Sequence, residues 1–223
     1  MRDLTLAADS GTPIRVLCLG AHADDIEIGC GGLILDLLQR HRQVDVNWVV
    51  FSATPVRAKE AQTSARAFLT GAKSKKVTIH RFRDGFFPYD GATIKKGFET
   101  LKRSIPSPDL VLTHYRDDRH QDHRTISDLT WNTFRDHVVL EYEIPKFDGD
   151  LGTPNCFVPL SREIAVLKTA HLEKAFTTQT DRHWFSAETF LGLMRLRGVE
   201  CRAPEGLAEA FYARKLVMSV TGA

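Results

Sequence analysis

The chain has 223 residues, enough for a single domain over 1–223 with a sizeable core. Thirty basic against 28 acidic side chains leave a net charge of +2, which removes any bulk electrostatic case for a nucleic-acid partner. Apolar residues make up 43%, ordinary for a globular protein, and no apolar run approaches the roughly 18 to 20 residues that a membrane span needs.

The first dozen residues, MRDLTLAADSGT, lack the apolar stretch of a signal peptide. Cys18, Cys30, Cys156 and Cys201 form no CxxC pair, and Cys18 sits in an apolar run as a small hydrophobe. Both features predict a reducing, cytoplasmic setting with no membrane partner. A homo-oligomer is compatible with the sequence, which carries no pattern that sets its order.

Strand and helix signals then alternate. Ile14 to Gly20 (IRVLCLG) is a short apolar run of strand formers. From Gly31 to Arg42, Leu33, Ile34, Leu37 and Leu38 share one helical stripe. Val44 to Ser52 reads as a second strand. Pro55 stands near the start of a helix with Ala58, Ala61, Ala65, Phe68 and Leu69 inward, a position where proline is well tolerated. Val77 to His80 is a third strand, Ile94 to Ile105 a helix, and Pro106 and Pro108 break the chain before a fourth strand, Asp109 to Thr113. A helix with Ile126, Leu129 and Phe134 inward follows. Such repeated βα units predict an α/β, Rossmann-like three-layer sandwich, a mostly parallel sheet with helices on both faces. From Leu140 onward the pattern loosens into a loop-rich stretch, YEIPKFDGDLGTPNCFV. Helices over Ser161–Phe176 and Ala187–Gly198 and a short terminal segment, FYARKLV, complete the chain.

Chemistry concentrates at two strand ends. Ala21-His22-Ala23-Asp24-Asp25-Ile26-Glu27-Ile28-Gly29-Cys30-Gly31-Gly32 follows the first strand, and His120-Gln121-Asp122-His123 follows the fourth. Open α/β sheets keep their sites at the carboxyl ends of strands, so neighbouring first and fourth strands would bring the clusters together. His22, Asp25 and His123 then make a two-histidine, one-carboxylate set of the kind that holds catalytic zinc while leaving room for water. Asp24 stays free to take a proton from a water that the cation acidifies. Iron(II) or cobalt(II) suits the same donors. The competing readings are milder. The Asp pair could cap the next helix. The glycines lack GxGxxG spacing and are better explained by a tight turn and close helix–sheet packing than by a dinucleotide cradle. His114, directly after the fourth strand, is a further candidate for the pocket lining.

The segment AHADDIEIGCGG resembles the HPDD-x-x-x-GCGG signature of the PIG-L/LmbE-like zinc N-deacetylases, and His120–Arg124 (HQDHR) resembles their later H-x-D-H-R motif. The resemblance covers roughly the first 140 residues. It implies metal ligation by His22, Asp25 and His123, a general base at Asp24, an oxyanion stabiliser or acid at His120, and a neighbouring carboxylate at Asp122. Arg57, in Arg57-Ala58-Lys59-Glu60, resembles a substrate-facing Arg-x-x-Glu. Two departures stand out: Ala23 replaces the common Pro, and Ile26 occupies a place where many members carry Glu, with Glu27 beside it.

An enzyme of this kind usually removes acetyl from a 2-acetamido sugar. The loops Arg83–Phe87 and Tyr142–Asp148 bring aromatic rings, carboxylates and a lysine, which suit a hydroxyl-rich ligand, with Asp84, Tyr142 and Lys146 as substrate contacts. A non-sugar amide as substrate, or a non-catalytic nucleotide- or sugar-binding module, are the alternative readings.

Overall fold

The computed structural model describes residues 11–217. Most of the leader region considered above, residues 1–10, lies outside the described residues. The strands are β1 (Ile14–Gly20), β2 (Val44–Val50), β3 (Ser74–Ile79), β4 (Leu110–His114), β5 (Val138–Tyr142), β6 (Cys156–Leu160) and β7 (Leu207–Ala213). The helices are α1 (Asp25–Arg40), α2 (Pro55–Phe68), α3 (Gly91–Ser104), α4 (Gln121–Thr133), α5 (Arg162–Ala175) and α6 (Ala187–Cys201), with a 3₁₀ turn at Thr177–Gln179.

One sheet runs in the order β3-β2-β1-β4-β5-β7-β6. The first five strands are parallel, and β7 pairs antiparallel with both β5 and β6. The period-2 geometry of β1 explains the layering: Ile14, Val16 and Cys18 face one core, while Leu17 and Leu19 face the other. Helices α1, α2, α5 and α6 supply the first core, which holds Trp48, Phe68 and Phe211; α3 and α4 cover the second, around Phe51, Phe87 and Phe98. The expected mostly parallel, three-layer α/β architecture is what the structure shows.

Local chemistry sets the helix starts. Thr54, Ser161 and Ser186 each accept a backbone N–H from three residues on, as N-cap side chains do. Three expectations need correction. The first helix begins at Asp25, six residues before the expected Gly31. The stretch expected to be loop runs into β6 at Cys156, and the terminal segment, given no element from the sequence, begins inside β7 with Phe211–Ala213. Strand order reverses direction between β1 and β4, and the crevice at that switch point is where a doubly wound sheet opens for ligands.

Candidate metal centre

The two clusters meet in that crevice, because β1 and β4 are hydrogen-bonded neighbours. After β1 the chain turns through Ala21–Asp24, pinned when Phe51 and Ser52 donate their N–H groups to the carbonyls of Gly20 and Ala21. Asp25 closes this turn by accepting the His22 N–H at 2.6 Å. After β4 the chain reaches α4, whose N-cap is His120: its Nδ1 accepts the Asp122 N–H at 3.2 Å.

Donor atoms of His22, Asp25 and His123 come close together, Asp25 through a different oxygen to each imidazole. His22 Nδ1 lies 3.1 Å from His123 Nε2 and 3.4 Å from Asp25 Oδ2, and His123 Nε2 lies 3.6 Å from Asp25 Oδ1. A tetrahedral ion with N and O donors at about 2.0–2.1 Å places them about 3.3–3.4 Å apart. The His22–His123 spacing fits a small divalent cation, and the overlapping groups His22, His120, His123 and Asp25, His114, His123 could each hold one.

Each imidazole is braced from behind. His22 Nε2 lies 3.2 Å from Asp122 Oδ2 and 3.1 Å from Asp84 Oδ1, and His123 Nδ1 lies 2.9 Å from Asp118 Oδ2. Carboxylates on the far nitrogens orient both rings, so that His22 Nδ1 and His123 Nε2 face the shared point. Neighbouring donors also carry hydrogen bonds to the backbone. His114 Nε2 accepts the Ala21 N–H at 2.9 Å, and Asp122 accepts the Gly85 and Phe87 N–H groups at 2.6 and 3.1 Å.

The electrostatics match. Burial pushes the Asp25 carboxyl up, but the imidazoles of His123, His114 and His22 outweigh it and hold the group well below the usual carboxylate range. Burial and the neighbouring His114 lower His123 to about 3, leaving it neutral. His22 goes the other way. Burial opposes its charge, yet Asp25, Asp122 and Asp84 raise it well above an ordinary histidine. The acidic field that draws a proton to His22 is one that also attracts a cation.

Asp24 is buried, and Arg57 holds only one of its oxygens, with Nη2–Oδ1 at 2.8 Å. Its Oδ2 is buried without a hydrogen-bond partner. Burial raises the Asp24 carboxyl, Arg57 lowers it, and the net direction is upward. Arg57 is itself held by Glu60 at 3.0 Å, and Glu60 accepts the Thr178 N–H and Oγ1 at 2.9 and 2.7 Å. Burial and the adjacent His22 lower His120, which keeps it neutral at pH 7. With Nδ1 accepting, the proton of neutral His120 sits on Nε2, available for donation.

A cavity of about 420 Å³ opens over these groups. His22, Asp24, Asp25, His120 and His123 line it, as do Arg57, Asp84 and Lys146. Asp84 is an exposed rim residue, whereas the Lys146 ammonium is tied to Asp118 at 3.1 Å and Asp150 at 2.5 Å. Two expected wall residues stand elsewhere. Tyr142, the last residue of β5, is fully buried and donates its hydroxyl to the Leu19 carbonyl at 2.6 Å; its ring fills the space left by Gly29, where a Cβ would collide with it. It supports the floor of the site and makes no wall. His114 is likewise fully buried, stacked on His123 with ring centroids 3.9 Å apart.

Sequence reasoning missed Asp118, the Thr178 partner of Glu60, and the wall formed by Gln179, Arg182 and Trp184. The doublet Asp117-Asp118 just before His120 was a usable signal for the first. The wall carried none, because it comes from a segment about 60 residues downstream of the second motif.

The family model for PIG-L, GlcNAc-PI de-N-acetylase, matches residues 17–134, more than half the chain. The protein belongs to this family. Solved structures agree on the fold. The conserved protein TT1542 of Thermus thermophilus is 20% identical with a TM-score of 0.71, aligned over 92% of this chain and 96% of its own. The N,N'-diacetylchitobiose deacetylase of Pyrococcus horikoshii is 21% identical with a TM-score of 0.67, over 90% and 83%. GalB, the 4-carboxy-2-hydroxymuconate hydratase of Pseudomonas putida KT2440, is 16% identical with a TM-score of 0.72, over 94% and 100%. A PIG-L fold thus accommodates both a deacetylase and a hydratase, and the chemistry has to be argued from the site.

Proposed function

We propose that this chain hydrolyses the N-acetyl group of an acetamido sugar or sugar conjugate, using a divalent cation held by His22, Asp25 and His123. The observation that carries this reading is the convergence of those three donors beside a buried carboxylate, Asp24, with one unpartnered oxygen. Membership of a de-N-acetylase family favours amide hydrolysis over hydration. The donor set suits Zn²⁺. Such a cation supplies Lewis acidity, lowering the pKa of a water and polarising the acyl oxygen.

The residues of the chain divide the remaining work. Asp24 Oδ2 receives the proton of the attacking water, while Arg57 on Oδ1 keeps the carboxylate oriented. Burial has already raised Asp24 toward the basicity that proton transfer favours. His120 donates an Nε2–H hydrogen bond to the oxyanion as the carbonyl becomes tetrahedral; as the C–N bond breaks, Asp24 gives the proton it took from water to the departing nitrogen, leaving acetate and the free amine. Asp122 and Asp118 hold the two imidazoles in register. Trp184 and Phe147 offer ring faces to a sugar, and Asp84 and Gln179 offer hydrogen-bonding tips to its hydroxyls.

The test is acetate release from a panel of N-acetylglucosamine derivatives: the free sugar, a UDP-linked form, and α-glycosides with small acidic or thiol-bearing aglycones. Release from one member by zinc-loaded protein, and its absence with Asp24→Asn, supports the proposal. No release from any member, with metal bound at one per chain, overturns the sugar assignment and moves the reading to a non-sugar amide.

A further inference from the structure

Helix α1 carries the ligand Asp25 on its first turn, yet it is not one continuous helix. Cys30 has φ −144° and ψ 15°, a break inside Asp25–Arg40. Such a break strands backbone groups on both sides, and here they are buried. Left unpaired, each would carry the full desolvation penalty of a buried polar group. They are satisfied by an ion pair from the far end of the chain. Lys168 of α5 donates Nζ to the Ile28 carbonyl at 2.6 Å, and Glu209 of β7 accepts the Gly32 and Leu33 N–H groups, both at 2.7 Å. Lys168 and Glu209 are themselves paired at 2.7 Å, and both are buried. Glu209 therefore acts as a borrowed N-cap for the second segment of α1, and Lys168 as a C-cap for the first. Gly32 makes the approach feasible, since a Cβ there would press on both Glu209 and Leu160.

A buried ion pair is a weak device for stability alone, because its desolvation cost rivals its attraction. Its placement suggests what else it does. The short segment Asp25–Gly29 takes a direction of its own, held also by Tyr142 packed against Gly29, by Ile26 in the core, by the Asp25 hydrogen bond to the His22 N–H and by the Asp24 carbonyl accepting the Ile28 N–H. Lys168 grips the carbonyl of Ile28, three residues after Asp25. We propose that the Lys168–Glu209 pair is a positioning device for the metal centre, fixing the orientation of the turn that carries Asp24 and Asp25. This rests on the metal-centre reading above. It also gives the last third of the chain, beyond residues 17–134 matched by the family model, a part in the chemistry.

The test uses full-length Lys168→Met, Glu209→Gln and Lys168→Arg, each titrated with Co²⁺ and Zn²⁺, alongside the visible Co²⁺ spectrum and the melting temperature of the metal-free protein. Lys168→Met is expected to weaken metal binding roughly tenfold, the lower end of what supporting partners of ligands contribute, and to alter the Co²⁺ absorption bands. Glu209→Gln should do the same to a lesser degree. Lys168→Arg, which keeps charge and donors, should restore the wild-type spectrum. If the first two variants melt lower yet bind Co²⁺ with wild-type affinity and bands, the pair is structural only and the proposal is overturned. Wild-type protein that takes up no Co²⁺ overturns the metal centre, and the proposal with it. Should Lys168→Met fail to fold, the spectrum of Glu209→Gln alone decides between positioning and a structural role.

Discussion

The parallel half of the molecule, β1 to β5, and the antiparallel flank, β6 and β7 with α5 and α6, contribute to the site in different ways. The three candidate ligands, Asp24 and His120 stand on loops or first turns that follow β1 and β4. The flank contributes fastening and shape. Lys168 and Glu209 hold the broken helix α1, Thr178 fixes Glu60 and through it Arg57, and Gln179, Arg182 and Trp184 close one side of the cavity. Candidate reactive groups thus lie within two short motifs, whereas part of their fastening and one side of the cavity come from the distant flank. Such a division lets the flank change the pocket while the donors stay fixed.

Substitutions in the two regions should separate accordingly, by binding, turnover and substrate affinity. Asp24→Asn is expected to keep the metal and lose roughly 10²–10⁴-fold in kcat, the range for loss of a positioned general base; near-full turnover would remove Asp24 from that role. Asp118→Asn loosens His123 without touching the cation, and metal titration should show binding weakened about 10–100-fold. In the flank, Trp184→Ala should leave metal content unchanged while KM rises several-fold, as expected when a ring contact worth about 0.5–1.5 kcal/mol is lost. Tyr142→Phe removes one buried hydrogen bond and should cost about 1 kcal/mol of stability in chemical denaturation, with KM unmoved. A raised KM there would return Tyr142 to the substrate wall.

Much of the fold was legible because the parallel strands are short buried runs. Ile14–Gly20 is a strand over the expected residues, and the alternation of strands and helices up to residue 134 matches the sheet that forms. The misses have physical causes. The run Gly29-Cys30-Gly31-Gly32 reads as a turn by propensity, but tertiary contacts override it. Tyr142, Phe68 and Leu160 occupy the space side chains would need, and Lys168 and Glu209 satisfy the one break. Strand β6 (CFVPL) hides behind Pro159, which an edge strand tolerates because it need not donate on its open side. At the other edge, β3 begins at Ser74, before the expected Val77, because its exposed Lys75 and Lys76 carry no apolar signal; charges of this kind protect an edge. The candidate donors were chosen by type and spacing, and the structure brings His22, Asp25 and His123 together. The bracing Asp118 and the Glu60–Thr178 link were not, since neither has a local pattern that announces its partner.

Metal content per chain after extensive dialysis, measured by elemental analysis on wild type, Asp24→Asn and His123→Ala in parallel, tests the central claim most directly. The account predicts close to one divalent ion in the first two proteins and close to none in the third. Equal occupancy in His123→Ala, or an Asp24→Asn protein emptied of metal, would contradict the assignment of ligands and base.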